Sequence, residues 1–313
     1  MFGKRNFERK RVSVRNEPDH TLERLSADCH VHLFMNGVSY REAVKAHQPH
    51  PDERLIRRAL ADCREAGITF LRDGGDFPGV SLLVKKIAPE YGIDLRSPAF
   101  AIHKKGHYGS IVGRPFTDLK EYRALVLEAR REGADFIKIM TSGIMDLDHF
   151  GVITDEPLTA SLVKEMVHIA HEEGMAVMSH TNGDGAVRAA LEAGVDSLEH
   201  GNYMEEDTVD LLASSDTIWV PTLVTVRNLT GSGRYPDEVL KRIADHAAGN
   251  LVRAYHKGAA LAVGSDAGAH MVFHARGTKE EEKAFFDILG TRSDVLRRLL
   301  DGEAGIRARF SPA

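Results

Sequence analysis

From Ala27 onward the chain alternates short apolar runs with stretches of helical period. The apolar runs read as strands over Ala27–Leu33, Ile68–Asp73, Leu95–Ile102, Asp135–Met140, Ala176–His180, Ser197–His200, Thr217–Thr222 and Ala260–Asp266. Between them, Asp52–Ala66 places Leu55, Ala59 and Cys63 on one face and stops at Gly67. Thr117–Glu132 opens on a Thr cap and ends at Gly133, and Thr159–Glu173 runs from a Thr cap to Gly174. Ala186–Ala193, Asp237–Lys257 and a last long helix over Lys279–Leu300 complete the set. Eight strands separated by helices or loops predict a parallel α/β fold, and eight strands close a (β/α)8 TIM barrel. The competing doubly wound sheet wants a glycine-rich turn after its first strand, where Cys29-His30-Val31-His32-Leu33 stands instead.

Composition narrows the class. The 313 residues carry 41 Lys plus Arg against 46 Asp plus Glu, a net charge of −5, with 42 % hydrophobic and 28 % charged residues. That balance is globular, and no apolar run approaches the ~18–20 residues of a membrane span. Cys29 and Cys63 are too few for a disulfide framework, suit a reducing compartment and read as packing residues. A basic extension over residues 1–26 precedes a single domain over 27–313. Its first 15 residues hold six basic side chains against Glu8 alone. No apolar core of a secretory signal follows, so the expectation is a cytoplasmic protein whose extension is solvated or lies as a strand across the body. The acidic remainder and the lack of an aromatic-plus-basic stripe argue against nucleic acid. The expected partner is a small-molecule substrate, with no membrane; a homo-oligomer is compatible with the chain.

One Trp is few for this length and sixteen His is many. In a barrel, chemistry gathers at the C-terminal strand ends. Strand one ends His30-Val31-His32, and side chains two apart share a face of a strand. Lys138 interrupts the apolar run Asp135–Met140, which suits either a snorkelling edge lysine or an inward amine reactive enough for a carbamate or Schiff base. His180, Glu199-His200-Gly201 and Gly264-Ser265-Asp266 end three further strands. Four histidines, a lysine and an aspartate supply the nitrogen and oxygen donors that suit zinc and its neighbours, enough for two metals sharing a bridging group.

These motifs, with Asp28-Cys29-His30-Val31-His32, Ala134–Met140 and Ala193–Gly201, resemble the amidohydrolase superfamily, in its imidazolonepropionase-like and prolidase-like dipeptidase branch, over residues 27–275. The resemblance implies that His30, His32 and Asp266 hold one divalent ion, and that His180 and His200 hold a second. Lys138, N6-carboxylated, bridges them. Zinc is the expected metal and manganese the alternative. It further implies amide hydrolysis of a dipeptide or N-acyl amino acid by a bridging hydroxide, with Asp266 as the catalytic proton acceptor. His107 and Tyr203 match positions that contact substrate in related dipeptidases. His103, Arg227, His149, His270 and His274 are weaker pocket candidates. Asp73 is read either as an acceptor orienting a ligand histidine or, with Arg72, as a surface pair. The accessory β-sandwich of many relatives is expected to be absent. Hydrolysis of a cyclic amide or lactone, and a non-catalytic metal-binding relic, stand as alternatives. Deamination is disfavoured, since Thr181-Asn182-Gly183-Asp184 follows His180 without the expected glutamate.

Overall fold

The computed structural model describes residues 24–311; most of the basic N-terminal segment lies outside the described residues. Ten strands form: β1 Ala27–Val31, β2 Phe70–Asp73, β3 Asp94–Arg96, β4 Ala101–Lys104, β5 Gly113–Phe116, β6 Ile137–Met140, β7 Val177–Thr181, β8 Ser197–His200, β9 Ile218–Val220 and β10 Ala260–Leu261. Every pairing between them is parallel, in two arcs ordered β1-β2-β3 and β10-β9-β8-β7-β6-β4-β5. The sandwich expected to be missing has no counterpart among the described residues.

The arcs join at both ends. On one side, Cys29 N donates to Val263 O at 2.9 Å, Asp266 N to His30 O at 2.7 Å and His32 N to Ala267 O at 2.8 Å. These bonds lay β1 beside the segment that continues β10. On the other side, Asp135 N donates to Ser97 O, and Ser97 N to Asp135 Oδ2 at 2.9 Å. The ring of staves is therefore β1, β2, β3 with β4, β6, β7, β8, β9 and β10, the eight of a TIM barrel.

The third stave, expected as one strand over Leu95–Ile102, is broken. Pro98 lacks an N–H for the ladder and Ala99 takes a φ of 63°, so pairing stops at Arg96 and resumes at Ala101. β5, not anticipated from sequence, pairs with β4 as an extra edge strand. The last helix is also two. Arg276–Leu289 ends at Gly290 (φ 86°), and Ser293–Arg309 follows. The helix expected from Thr117 starts at Leu119, because Asp118 rather than Thr117 caps Glu121 N; the Thr159 cap is as expected.

Apolar faces of the helices fill the layer outside the staves. Inside the barrel floor, Ala27, Phe70, Phe136, Met178, Ile218, Val220 and Ala262 pack with Ile306 and Phe310 of the final helix. That helix comes close because Gly302 has no side chain; a Cβ there would stand 1.8 Å from Leu261 O. With the floor plugged, open space remains at the C-terminal end of the staves.

Candidate metal centre

The parallel register brings the expected residues to one level. Met140 pairs with His180 and Thr181 with His200, while Val31 bridges Ala267 across the closure. Ala27 faces the barrel floor, the register of β1 against β2 shifts between Asp28 and Val31, and past that irregularity His30 lies at the cavity wall. Asp28 is a buried tie: it accepts from Ser265 N at 2.9 Å, Ser265 Oγ at 2.5 Å and Thr278 Oγ1 at 2.6 Å. That clamp fixes the backbone presenting His30 against the one presenting Asp266.

His30 Nε2 and His32 Nε2 stand 3.6 Å and 3.5 Å from Asp266 Oδ1, and one donor atom from each residue falls within 4.8 Å of the others. The His200 ring lies 5.2 Å from that of His30 and 4.6 Å from that of His180. All four imidazoles are buried. Burial first, and the Lys138 charge for three of them next, holds His32 and His180 down to about 3 and pulls His30 well below the ordinary imidazole value. His200 is lowered by burial and by the neighbouring His180. Neutral rings offer lone pairs, the form a metal needs.

Two rings are held from behind. His30 Nδ1 lies 2.8 Å from Glu199 Oε2, and His200 Nδ1 is 2.7 Å from Thr222 Oγ1. Such contacts fix ring orientation and direct Nε2 inward. His32 owes its position to space instead, since a Cβ on Gly74 would stand 2.2 Å from its Cε1. His180 Nε2 lies 3.2 Å from Gly143 O.

Lys138 is 1 % exposed, and among the described residues its Nζ has no hydrogen-bond partner. Burial lowers its amine, against the pull of Glu199 and Asp266, and burial raises the Asp266 carboxyl. An orphaned, easily deprotonated amine beside neutral imidazoles and a carboxylate fits a divalent-ion centre bridged by a carbamate. The structure therefore brings His30, His32, Lys138, His180, His200 and Asp266 to the wall of a single cavity of about 590 Å³.

Arg72 and Asp73 correct the surface-pair reading. Arg72 is fully buried in the barrel, donating to Cys29 O at 2.7 Å, Ser197 Oγ at 2.7 Å and Glu199 Oε1 at 2.8 Å, with its guanidinium 4.3 Å above the Phe310 ring. Asp73 accepts from the backbone N–H of Leu33 and Gly75 and, among the described residues, orients no histidine. His107 and Tyr203 are not among the lining residues. His107 Nδ1 meets Glu156 O at 3.2 Å and Asp155 at 3.4 Å, and Tyr203 packs on Phe150 at 5.3 Å. Their places at the wall are taken by Tyr108, whose ring lies 5.0 Å from His180, and by Asn202, which donates to Asn182 Oδ1 at 2.9 Å.

Of the weaker candidates, His270 lines the cavity and His274 Nε2 lies 3.2 Å from His32 O. His103, His149 and Arg227 stand outside it. His149 pairs with Asp146 and Arg227 with Asp287. Cys29 and Cys63 are free and buried, as expected.

The chain is similar to several known proteins. An uncharacterized protein of Mycobacterium tuberculosis is 28 % identical over 255 residues, covering 78 % of this chain and 63 % of its own length. Ochratoxinase of Aspergillus niger is 25 % identical over 279 residues, 76 % of this chain and 56 % of the relative. The chain thus spans less than two thirds of these curated relatives. Among solved structures, the A. niger ochratoxinase superposes with a TM-score of 0.71 at 21 % identity, over 91 % of this chain and 71 % of that one. A prolidase complexed with N-methylphosphonate-L-proline gives 0.70 at 22 %, over 91 % and 73 %. The Amidohydrolase family matches residues 27–300, and with the barrel and its rim in place the conclusion is direct: this chain belongs to the amidohydrolase family.

Proposed function

We propose that the chain is a metal-dependent hydrolase that cleaves an amide bond in a small molecule, a dipeptide or N-acyl amino acid. The observation that carries this reading is the convergence of six donor side chains, from the ends of five staves, on one cavity. His30, His32 and Asp266 would hold one divalent ion and His180 and His200 another, with Lys138 as a carbamate between them. The mixture of imidazole and carboxylate oxygen suits zinc, with manganese as the alternative. When bound, such ions would polarise the amide carbonyl and lower the pKa of a water.

The chain's own residues supply the rest. Glu199 and Thr222 keep two imidazoles aimed inward, and the closed floor and apolar walls limit water. Asp266, its carboxyl raised by burial, is suited to take a proton on a carboxylate oxygen and return it to the departing amine. The ochratoxinase and prolidase names among the similar proteins support amide chemistry. The apolar part of the wall also favours a second reading, a cyclic amide or lactone, at the same site. A single-domain organisation, action on a small molecule and a cytoplasmic location belong to the same proposal; no helix of the described residues is long and apolar enough to cross a membrane.

The test is metal analysis of the purified protein after zinc or manganese supplementation, with assays on a dipeptide and N-acyl amino acid library. At least one ion per chain with chelator-sensitive hydrolysis is expected. Less than one ion and no hydrolysis would overturn the reading.

A further inference from the structure

The helix Arg276–Leu289 reaches the centre from outside the barrel. Thr278 and Glu281, three residues apart, share its buried face. Thr278 Oγ1 donates to Asp28, the buried tie between the backbones of His30 and Asp266. Glu281, 0 % exposed, spreads its two oxygens over consecutive backbone donors, Leu223 N on Oε1 and Val224 N on Oε2, each at 2.9 Å. A buried carboxylate is costly unless a cation meets it. Among the described residues Glu281 has no ion pair, and Arg227, whose charge favours its ionised form, is paired with Asp287.

The two bonds fix the backbone just past a strained turn. β9 ends at Val220, and Thr222 turns the chain at a φ of 51°. A β-branched residue adopts that conformation only when its surroundings impose it. From there its hydroxyl meets His200 Nδ1 at 2.7 Å. His200 stands at a φ of 65°, and its carbonyl accepts the indole N–H of Trp219 at 2.8 Å. We propose that Glu281 is a positioning residue for His200: by gripping Leu223 N and Val224 N it keeps the Thr222 hydroxyl on the ring, and so keeps the other ring nitrogen turned toward the ion. The use of that nitrogen rests on the metal-dependent reading above; Glu281 itself lines no part of the cavity. With Thr278 on the same face, one helix backs both halves of the centre.

The test titrates zinc alone into the metal-free full chain, as the parent, Glu281→Gln, Thr222→Val and the double variant. Glutamine keeps the shape but offers one oxygen, so one backbone donor loses its acceptor. Glu281→Gln and Thr222→Val are each expected to weaken zinc binding about tenfold or more. The double variant should stay within about twofold of Thr222→Val, because the grip acts through that hydroxyl. A second readout needs no metal. Trp219 is the chain's one tryptophan, so its indole N–H gives a single resonance, which should move in both single variants. Met166→Ala, a buried truncation in a different part of the core, controls for lost stability and should leave zinc affinity within about twofold and the resonance in place. Should Glu281→Gln not fold, Glu281→Asp, which keeps the charge and draws the oxygens back, takes its place with the same expectations. Zinc affinity in the Glu281 variant within about twofold of the parent, multiplied losses in the double variant, or an equal loss in Met166→Ala would overturn the inference. If the parent binds no zinc, the metal-dependent reading falls, and the resonance alone decides: movement in both single variants upholds the role of Glu281, and a fixed resonance overturns it.

Discussion

Arg72 offers the sharpest test of how the centre is held. Its guanidinium is fully buried, makes three hydrogen bonds and pairs with Glu199, whose other oxygen faces His30. Arg72→Met keeps much of the volume and removes the charge. The charge-assisted bond to Glu199 is worth about 1.5–3 kcal/mol and each bond to a neutral oxygen about 0.5–1.5 kcal/mol. Glu199, 0 % exposed, would be left as an uncompensated buried anion. These contributions fall in the range of about 3–5 kcal/mol found when one member of a buried ion pair is removed. Removing both charges in Arg72→Met/Glu199→Leu should be milder than the sum of the singles by at least about 1 kcal/mol, because no charge is stranded. The assay is urea unfolding of the four proteins of this cycle, followed by zinc affinity from equilibrium dialysis. The double variant should bind zinc about 10–100-fold more weakly despite its recovered stability, since His30 has lost the carboxylate behind it. A cost below about 1 kcal/mol for Arg72→Met, or strict additivity in the double variant, would refute the reasoning.

Gly74→Ala should cut zinc affinity about tenfold or more with an unchanged dichroism spectrum, because the added methyl occupies the His32 ring position; equilibrium dialysis decides. Lys138→Met should stabilise the metal-free protein by about 1–3 kcal/mol in urea unfolding, by removing an unpartnered buried amine, while hydrolysis disappears. Asp76 accepts from Val80 N and Ser81 N, yet burial pushes its carboxyl up to about 6. A raised acid contributes stability that is fully present below its ordinary value near 4 and is lost as pH rises through about 6. Asp76→Asn should therefore flatten the stability profile between pH 4 and 6, measured by unfolding at fixed pH. A slope equal to that of the parent would contradict it.

What the sequence disclosed follows from the range of each physical signal. His30-Val31-His32 is legible because a strand's period of two is local, and Lys138 because a charge inside an apolar run is costly wherever it sits. The eight staves were legible for the same reason. The break in the third stave at Pro98 and the end of a helix at Gly290 needed the tertiary course of the chain. Arg72 and Glu199 lie 127 residues apart, so neighbouring Asp73 looked the natural partner for Arg72 until the barrel closed. In the loop Gly106–Gly109 there is no period to read, and the residue facing the cavity is Tyr108, one place beyond His107.

The backbone at the rim carries a less visible consequence. His200, Thr222 and Asp266 have φ values of 65°, 51° and 57°. Histidine and aspartate tolerate that region moderately, whereas a β-branched threonine does so at real cost, of order 1–3 kcal/mol. Thr222 is held there while its hydroxyl meets His200, so its strain and its chemistry are separable. Glycine would relieve the backbone and abandon the imidazole; valine would keep the strain and lose the oxygen. A lineage selected only for heat resistance would therefore gain most by surrendering this rim, and endurance and competence would be traded against each other at the same few positions.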